Sequence, residues 1–286
     1  AGHKAVGDWQ ALLGVNLRCH HLSWDTMRGE AKRDYPASIL HQSAWYPEYK
    51  HVEDYFARFG LMMAQGKPVC DVLVINPVES LWAQVYQGWS SILAVQDEHI
   101  QTLEEKYQQL FTWLLENQVD FDYGDEEMLA RLASVEHGML KVGCAKYKCV
   151  LVSGMDTIRS STLSLLDQFA KAGGKVVFAG DVPGYVDAEP SEIRNAKYQN
   201  IAFDKKAILA ALPQPDASVD APDIFGQLRQ TDGGLVFAAL NVNREARRDN
   251  ALVKIKTDRD IEEWNCETGE RIPVKAESSN GWKMFA

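Results

Sequence analysis

The chain has 286 residues, 46% hydrophobic and 24% charged, the proportions of an ordinary globular protein rather than a disordered one. Its formal net charge is −10, from 40 acidic and 30 basic residues, and it carries no basic stripe. Such a surface repels a phosphate backbone, so nucleic acid is excluded as the expected partner. No apolar run reaches the ~20 residues that cross a bilayer, so no membrane partner is expected either.

The first segment, 1–67, reads as helix, strand, long loop, helix. Ala1 to Gly14 lacks an initiator Met and looks like the middle of a helix (Lys4, Ala5, Val6, Asp8, Trp9, Leu12, Leu13) stopped by Gly14. The expectation is a piece of a longer protein, so the lack of a signal peptide says nothing about where the parent works. Val15 to His21 (VNLRCHH) is predicted as a strand and Leu22 to Ala44 as a loop holding Gly29 and Pro36. Pro47 to Gln65 is predicted as a helix with Tyr55, Phe59 and Met62 on one face. A strand, an irregular loop longer than ~15 residues and a helix follow one another as in the last units of a (β/α)8 barrel, where functional loops follow the strands.

The second segment, 68–212, alternates strand and helix. Val69 to Pro77, Val119 to Tyr123, Lys148 to Gly154 and Lys175 to Gly180 read as strands. Asp97 to Asn117, Glu126 to Leu132 and Ser160 to Ala172 read as helices, the last closed by Gly173 and Gly174. This alternation predicts an α/β class with a doubly wound parallel sheet. A Pro- and Asp-rich stretch, 213–222, reads as a linker. From 223 to 286 the pattern turns to β, with a hairpin turn at Glu267, Thr268 and Gly269, and looks like the opening of a β-sandwich.

Cys19, Cys70, Cys144, Cys149 and Cys266 are scattered and odd in number, which fits structural thiols better than a disulfide framework or a metal site. Free cysteines suggest the cytoplasm, with secretion or the periplasm left open for a parent enzyme. No metal-ligand spacing, GxGxxG or Walker pattern is present, so no cofactor is expected.

The densest polar and aromatic cluster is HHLSWDTMRGEAKRDYP, which contains His20, His21, Trp24, Asp25, Arg33, Asp34 and Tyr35. Sugar binding needs flat apolar faces for the C–H side of a pyranose and planar donors and acceptors for its hydroxyls. These residues at the end of a barrel strand supply both. The plainer alternative is a loop ordered by Arg–Asp pairs with a histidine buried behind it. A second cluster, FDYGDEEML, puts Asp122, Tyr123 and Glu126 at a strand-to-helix junction, where helix capping competes with sugar or inter-domain contact. Packing is expected of the aromatic run around Tyr86 and Trp89, with cover for a barrel face or a subunit contact as the alternative.

GDWQALLGVNLRCHHLSW, GEAKRDYPASILHQSAWYPEY and VCDVLVINPVESLWAQ together resemble the α-L-rhamnosidase-like glycoside hydrolases, over roughly residues 2 to 275. FDYGDEEMLARL, VLVSGMDTIRSSTLSLLDQFAKAGGKVVFAG and IEEWNCETGERIPV keep the same order. The resemblance implies the late part of a catalytic barrel followed by a flavodoxin-like domain, similar to the β-galactosidase trimerisation domain and to class I glutamine amidotransferases. It implies hydrolysis of an O-glycosyl bond in a plant or microbial glycan. The partners it implies are a carbohydrate substrate, the upstream part of a parent enzyme and a homo-oligomeric neighbour.

Glycoside hydrolysis uses two carboxyl groups, ~5–5.5 Å apart for retention or ~6.5–9.5 Å for inversion. At least one is expected upstream of Ala1, which leaves the catalytic residues unidentified, with Asp25, Glu30, Asp34 and Glu48 as local candidates. The rival expectation is a non-catalytic assembly or carbohydrate-binding module. Amidotransferase chemistry is not expected: the turn after Lys148–Gly154 carries Met155 and Asp156 where that fold carries a nucleophilic cysteine, and Cys149 sits within the strand.

Overall fold

A computed structural model describes residues 2–21, 23, 26, 28–30, 39–91 and 94–286. It divides into two compact units, residues 1–68 with 217–286, and residues 69–216.

In the first unit, helix α1 (Gly2–Leu12) ends as predicted at Gly14, which takes φ +92°. The Gly14 amide donates to the Ala11 carbonyl and the Val15 amide to that of Gln10, closing the helix with a left-handed cap. Helix α2 (Lys50–Met63) follows a 3-10 turn at Tyr46–Tyr49, whose Pro47 suits the first turn. α1 and α2 approach closely at Gly7: a Cβ there would lie 2.2 Å from the Phe56 ring and 2.3 Å from the Arg18 guanidinium. Arg18 lies over the Phe56 ring at 4.5 Å. Asp8, buried in the same crossing, accepts from Lys4 Nζ and the Tyr55 hydroxyl, each at 2.8 Å.

The strand expected over Val15–His21 does not form; Leu17 in it is 83% exposed. A strand needs a neighbouring backbone to pair with. Here the segment is held by side chains instead, Arg18 on Phe56 and His20 on Tyr49.

Leu12, Phe59 and Met63 form a small core with Phe225, Ala238 and Leu240. The last three lie on the paired strands Ile224–Thr231 and Gly234–Asn241, and Lys67–Pro68 pairs with the outer side of the first. Arg58 of α2 donates to the carbonyls of Cys266 and Glu267, fixing the turn of the hairpin Ile261–Trp264 with Arg271–Val274. The stretch read as a linker contains a strand, Ala217–Val219, paired with Val253–Lys256.

Among its described residues, the second unit carries five parallel strands: β1 (Val72–Ile75), β2 (Phe121–Gly124), β3 (Cys149–Ser153), β4 (Lys175–Ala179) and β5 (Gln199–Ile201). Their spatial order is 2-1-3-4-5. Both faces of the sheet are covered, which is why β1, β3 and β4 read as continuous apolar runs. Leu73, Ile75, Val150, Val152, Val176 and Phe178 face one way; Val72, Val74, Cys149, Leu151, Val177 and Ala179 face the other.

α3 (Val78–Trp82) and α4 (Glu98–Glu116) connect β1 to β2, with Leu110 and Leu114 of α4 on the Val72 face. α5 (Glu126–Leu132) and α6 (Ser160–Lys171) place Leu129, Leu166 and Phe169 on the Leu73 face. α7 (Lys205–Ala211) returns to the Val72 face with Ile208 and Ala211. Three short antiparallel strands, Ala133–Glu136, Met139–Val142 and Ala145–Tyr147, follow α5.

Candidate functional site

In the first unit, the residues flanking the predicted loop meet in an aromatic cluster. His20 Nε2 lies 3.1 Å from the Tyr49 hydroxyl. The His3, His20 and Tyr49 rings sit edge to face with centroids 5.9 to 6.3 Å apart, and Trp45 lies 6.1 Å from Tyr49. Burial, and then the Glu53 carboxylate, raise the Tyr49 hydroxyl above its ordinary value, so it stays a donor at neutral pH. His3, His20 and Trp45 are exposed. The arrangement offers a surface-accessible indole face, imidazole edges and a phenol, groups that stack on a pyranose and hydrogen-bond its hydroxyls.

Of the residues read as a sugar site, His20 and His21 are described and exposed. Trp24, Asp25, Arg33, Asp34 and Tyr35 lie outside the described residues. His3, Trp45 and Tyr49 join His20 through tertiary packing that no spacing in the sequence signals. Of the candidate acids, Asp25 and Asp34 are likewise outside the described residues. Glu30 is exposed, and Glu48 is exposed and lies 3.2 Å from His51 Nε2.

In the second unit, Asp122, Tyr123 and Glu126 do not converge. Successive residues of a strand point to opposite faces. Asp122 accepts from the Tyr147 hydroxyl at 2.8 Å, whereas Tyr123 stacks on Tyr107 of α4 with centroids 5.0 Å apart. Glu126 is 1% exposed; its Oε2 accepts from the Arg159 amide at 2.8 Å, and its Oε1 has no well-formed hydrogen bond. Burial pushes its carboxyl above the usual glutamate range, against the Thr162 hydroxyl and the Arg159 amide, which favour the ionised form. Capping of α5 falls to Asp125, which accepts from the Met128 amide at 2.9 Å.

A polar cluster that the sequence reading missed occupies the carboxyl ends of β1 and β3. Asp156 Oδ2 receives the Gln84 amide at 3.2 Å and lies 2.7 Å from His99 Nε2. Tyr86 donates to Asp97 Oδ2 at 3.2 Å, while Asp97 Oδ1 caps α4 by accepting from the His99 and Ile100 amides. Beneath them Ser80, fully buried, accepts from the Asp156 and Thr157 amides and donates to the Thr157 carbonyl. Arg159 grips Glu79 through Nε, 2.8 and 2.9 Å from the two carboxylate oxygens. Tyr86, expected to be packed, is 52% exposed, and Trp82 is 63% exposed. The clue available in the sequence is the Asp97 cap signal before α4; the His99–Asp156 partnership spans 57 residues and leaves no local trace.

Cys149 is buried in β3, where burial pushes its thiol up to about 12, so it is not a nucleophile. Among the described residues no group of three His, Cys, Asp or Glu side chains can hold a metal ion, and no helix is long and apolar enough to cross a membrane.

No family model and no curated protein matches the sequence. Solved structures do match in fold. A rhamnosidase from Novosphingobium sp. PP1Y superposes on 98% of this chain with a TM-score of 0.70 at 19% identity. Gan42B, a GH42 β-galactosidase from G. stearothermophilus, superposes on 86% with a TM-score of 0.51 at 12% identity. The chain spans 28% of the rhamnosidase and 45% of the galactosidase. The likeness is one of fold, and these structural neighbours are glycoside hydrolases.

Proposed function

We propose that the chain is part of a glycoside hydrolase of the α-L-rhamnosidase-like kind, and that its first unit lends the substrate pocket a sugar-contacting surface built around His20. The observation that carries this reading is the 98% of the chain that superposes on a rhamnosidase while matching only 28% of it. In this reading residues 1–67 are late elements of a catalytic barrel. The 2-1-3-4-5 strand order supports a flavodoxin-like domain for 68–212, since that is the flavodoxin order.

The chemistry is hydrolysis by a pair of carboxyl groups flanking the glycosidic bond, at least one of them supplied from outside this chain. Within the chain, His20, Tyr49 and Trp45 orient a sugar ring; the aromatic faces exclude water from its C–H side and the imidazole and phenol hold its hydroxyls.

The test is hydrolysis of p-nitrophenyl α-L-rhamnoside and β-galactoside by this chain and by a longer form carrying the residues upstream of it. Activity in the longer form alone, reduced by His20→Ala, supports the reading. Activity in the short form places both carboxylates within it. Inactivity of both forms returns the chain to a non-catalytic assembly or carbohydrate-binding module.

A further inference from the structure

We infer that Gln84, Tyr86, His99 and Asp156 form a second binding site, for a neutral monosaccharide unit, at the carboxyl ends of β1 and β3. The choice of a sugar as ligand rests on the hydrolase reading above; the existence of the site rests on geometry within residues 69–216 alone.

The first argument is position. From β1 the chain runs to α4 on the Val72 face, and from β3 it runs to α6 on the Leu73 face. The two connections diverge between adjacent strands, and in open α/β sheets the crevice so created is where ligands bind.

The second is unused bonding capacity. The Gln84 amide and the His99 imidazole both engage Oδ2 of Asp156, and among the described residues Oδ1 has no hydrogen-bond partner. His99 is engaged through Nε2, its side chain is 52% exposed, and that of Asp156 is 28% exposed. Three planar groups thus hold one another by one edge and, in His99 and Asp156, keep partly exposed side chains with a second edge to offer, which suits the paired donors and acceptors of a vicinal diol.

The third is preorganisation. Ser80 ties down the Asp156 and Thr157 amides from below, and Asp97 tethers Tyr86 through its hydroxyl. A site already held in its binding geometry loses little freedom when a ligand arrives. Trp82, at the end of α3, and Tyr86, two residues after Gln84, both expose aromatic surface, the kind of face that stacks on a pyranose ring. Charge then selects the ligand: Asp156 and Asp97 at the site disfavour an anion and leave a neutral hydroxylated ring as the fitting partner.

The experiment is NMR titration of the whole 286-residue chain with methyl α-L-rhamnopyranoside, and separately with methyl β-D-galactopyranoside, following the His99 imidazole and the Tyr86 and Trp82 ring signals. The expected result is saturable shifts at these three residues with a Kd on the order of 1–10 mM for at least one sugar. His99→Ala and Asp156→Ala, both at solvent-accessible positions, are expected to weaken it about tenfold or more, while the distant Lys171→Ala leaves it unchanged. Saturable shifts confined to His20 and Tyr49, indifferent to Asp156→Ala, overturn this site and leave the hydrolase reading standing. Absence of shifts at His99 with both sugars overturns the site as well, and glycoside hydrolysis by the longer form then decides the hydrolase reading separately.

Discussion

Replacing Ser80 by alanine removes one oxygen atom from a position with 0% exposure. That oxygen accepts from the Asp156 amide at 2.9 Å and the Thr157 amide at 3.1 Å, and donates to the Thr157 carbonyl at 3.2 Å. A methyl group replaces none of these bonds. Each buried group left unsatisfied costs about 1–3 kcal/mol, less for a carbonyl with a second lone pair to offer. A rigid site would therefore lose about 3–5 kcal/mol, and partial relaxation of the turn brings the expectation to roughly 2–4 kcal/mol. Urea unfolding of the whole chain, followed by tryptophan fluorescence and far-ultraviolet circular dichroism, measures it as a lower midpoint at unchanged slope. Ser164→Ala on the exposed face of α6 is the control, expected within about 0.5 kcal/mol of the parent. A Ser80→Ala loss no larger than that control would show that the three bonds are not what holds the turn after β3.

Glu126 is destabilising when ionised, because burial raises its carboxyl above the unfolded value. Its penalty is absent below about pH 4.3 and grows as pH rises through the folded value. Glu126→Gln is thus expected to be more stabilising at pH 7 than at pH 4.5, and a pH-independent difference in unfolding midpoint would contradict the assignment. Gly7→Ala puts a methyl into the Phe56 ring and the Arg18 guanidinium, so a loss of about 1–3 kcal/mol is expected, with shifted His20 and Tyr49 NMR signals. Phe169, fully buried on the inner face of α6, should cost about 3–5 kcal/mol on truncation to alanine, read in the same denaturation experiment. Asp223, held near 2 chiefly by its hydrogen bond from Arg248, favours folding above the ordinary carboxylate range, and that contribution is lost as pH falls toward 2. Asp223→Asn should therefore flatten the acid limb of the stability profile, and an unchanged limb would exclude the pair as its source.

The parallel sheet was legible because strands covered on both faces have to be apolar throughout. VLVI and CVLVS carry that requirement openly, and Gly173–Gly174 mark the end of α6. Residues 15–21 have the composition of a strand but join no sheet among the described residues, and pairing is a tertiary fact that composition does not encode. The strands after α5 escaped because they mix charged and apolar residues on a half-covered surface. Their local signals are the His137–Gly138 turn, where both residues take positive φ as a tight hairpin requires, and Gly143 in the next turn, also at positive φ. The candidate sites divide in the same way. His20 stands out in its own sequence neighbourhood, whereas Tyr49 lies 29 residues away and Asp156 meets His99 only once the sheet has formed.

The first unit is assembled from two stretches separated by the whole of the second. Its core joins Leu12 and Phe59 to Phe225 and Leu240, and the Leu12 carbonyl receives the Gln227 amide across 215 residues. During synthesis from the amino end, residues 69–216 therefore have all their partners before residues 1–68 have theirs. Until residues 217–286 emerge, Leu12, Phe59 and Met63 lack Phe225, Ala238 and Leu240. The hydrophobic contacts of the first unit are thus long-range in sequence, the kind whose loop closure is slowest to be repaid.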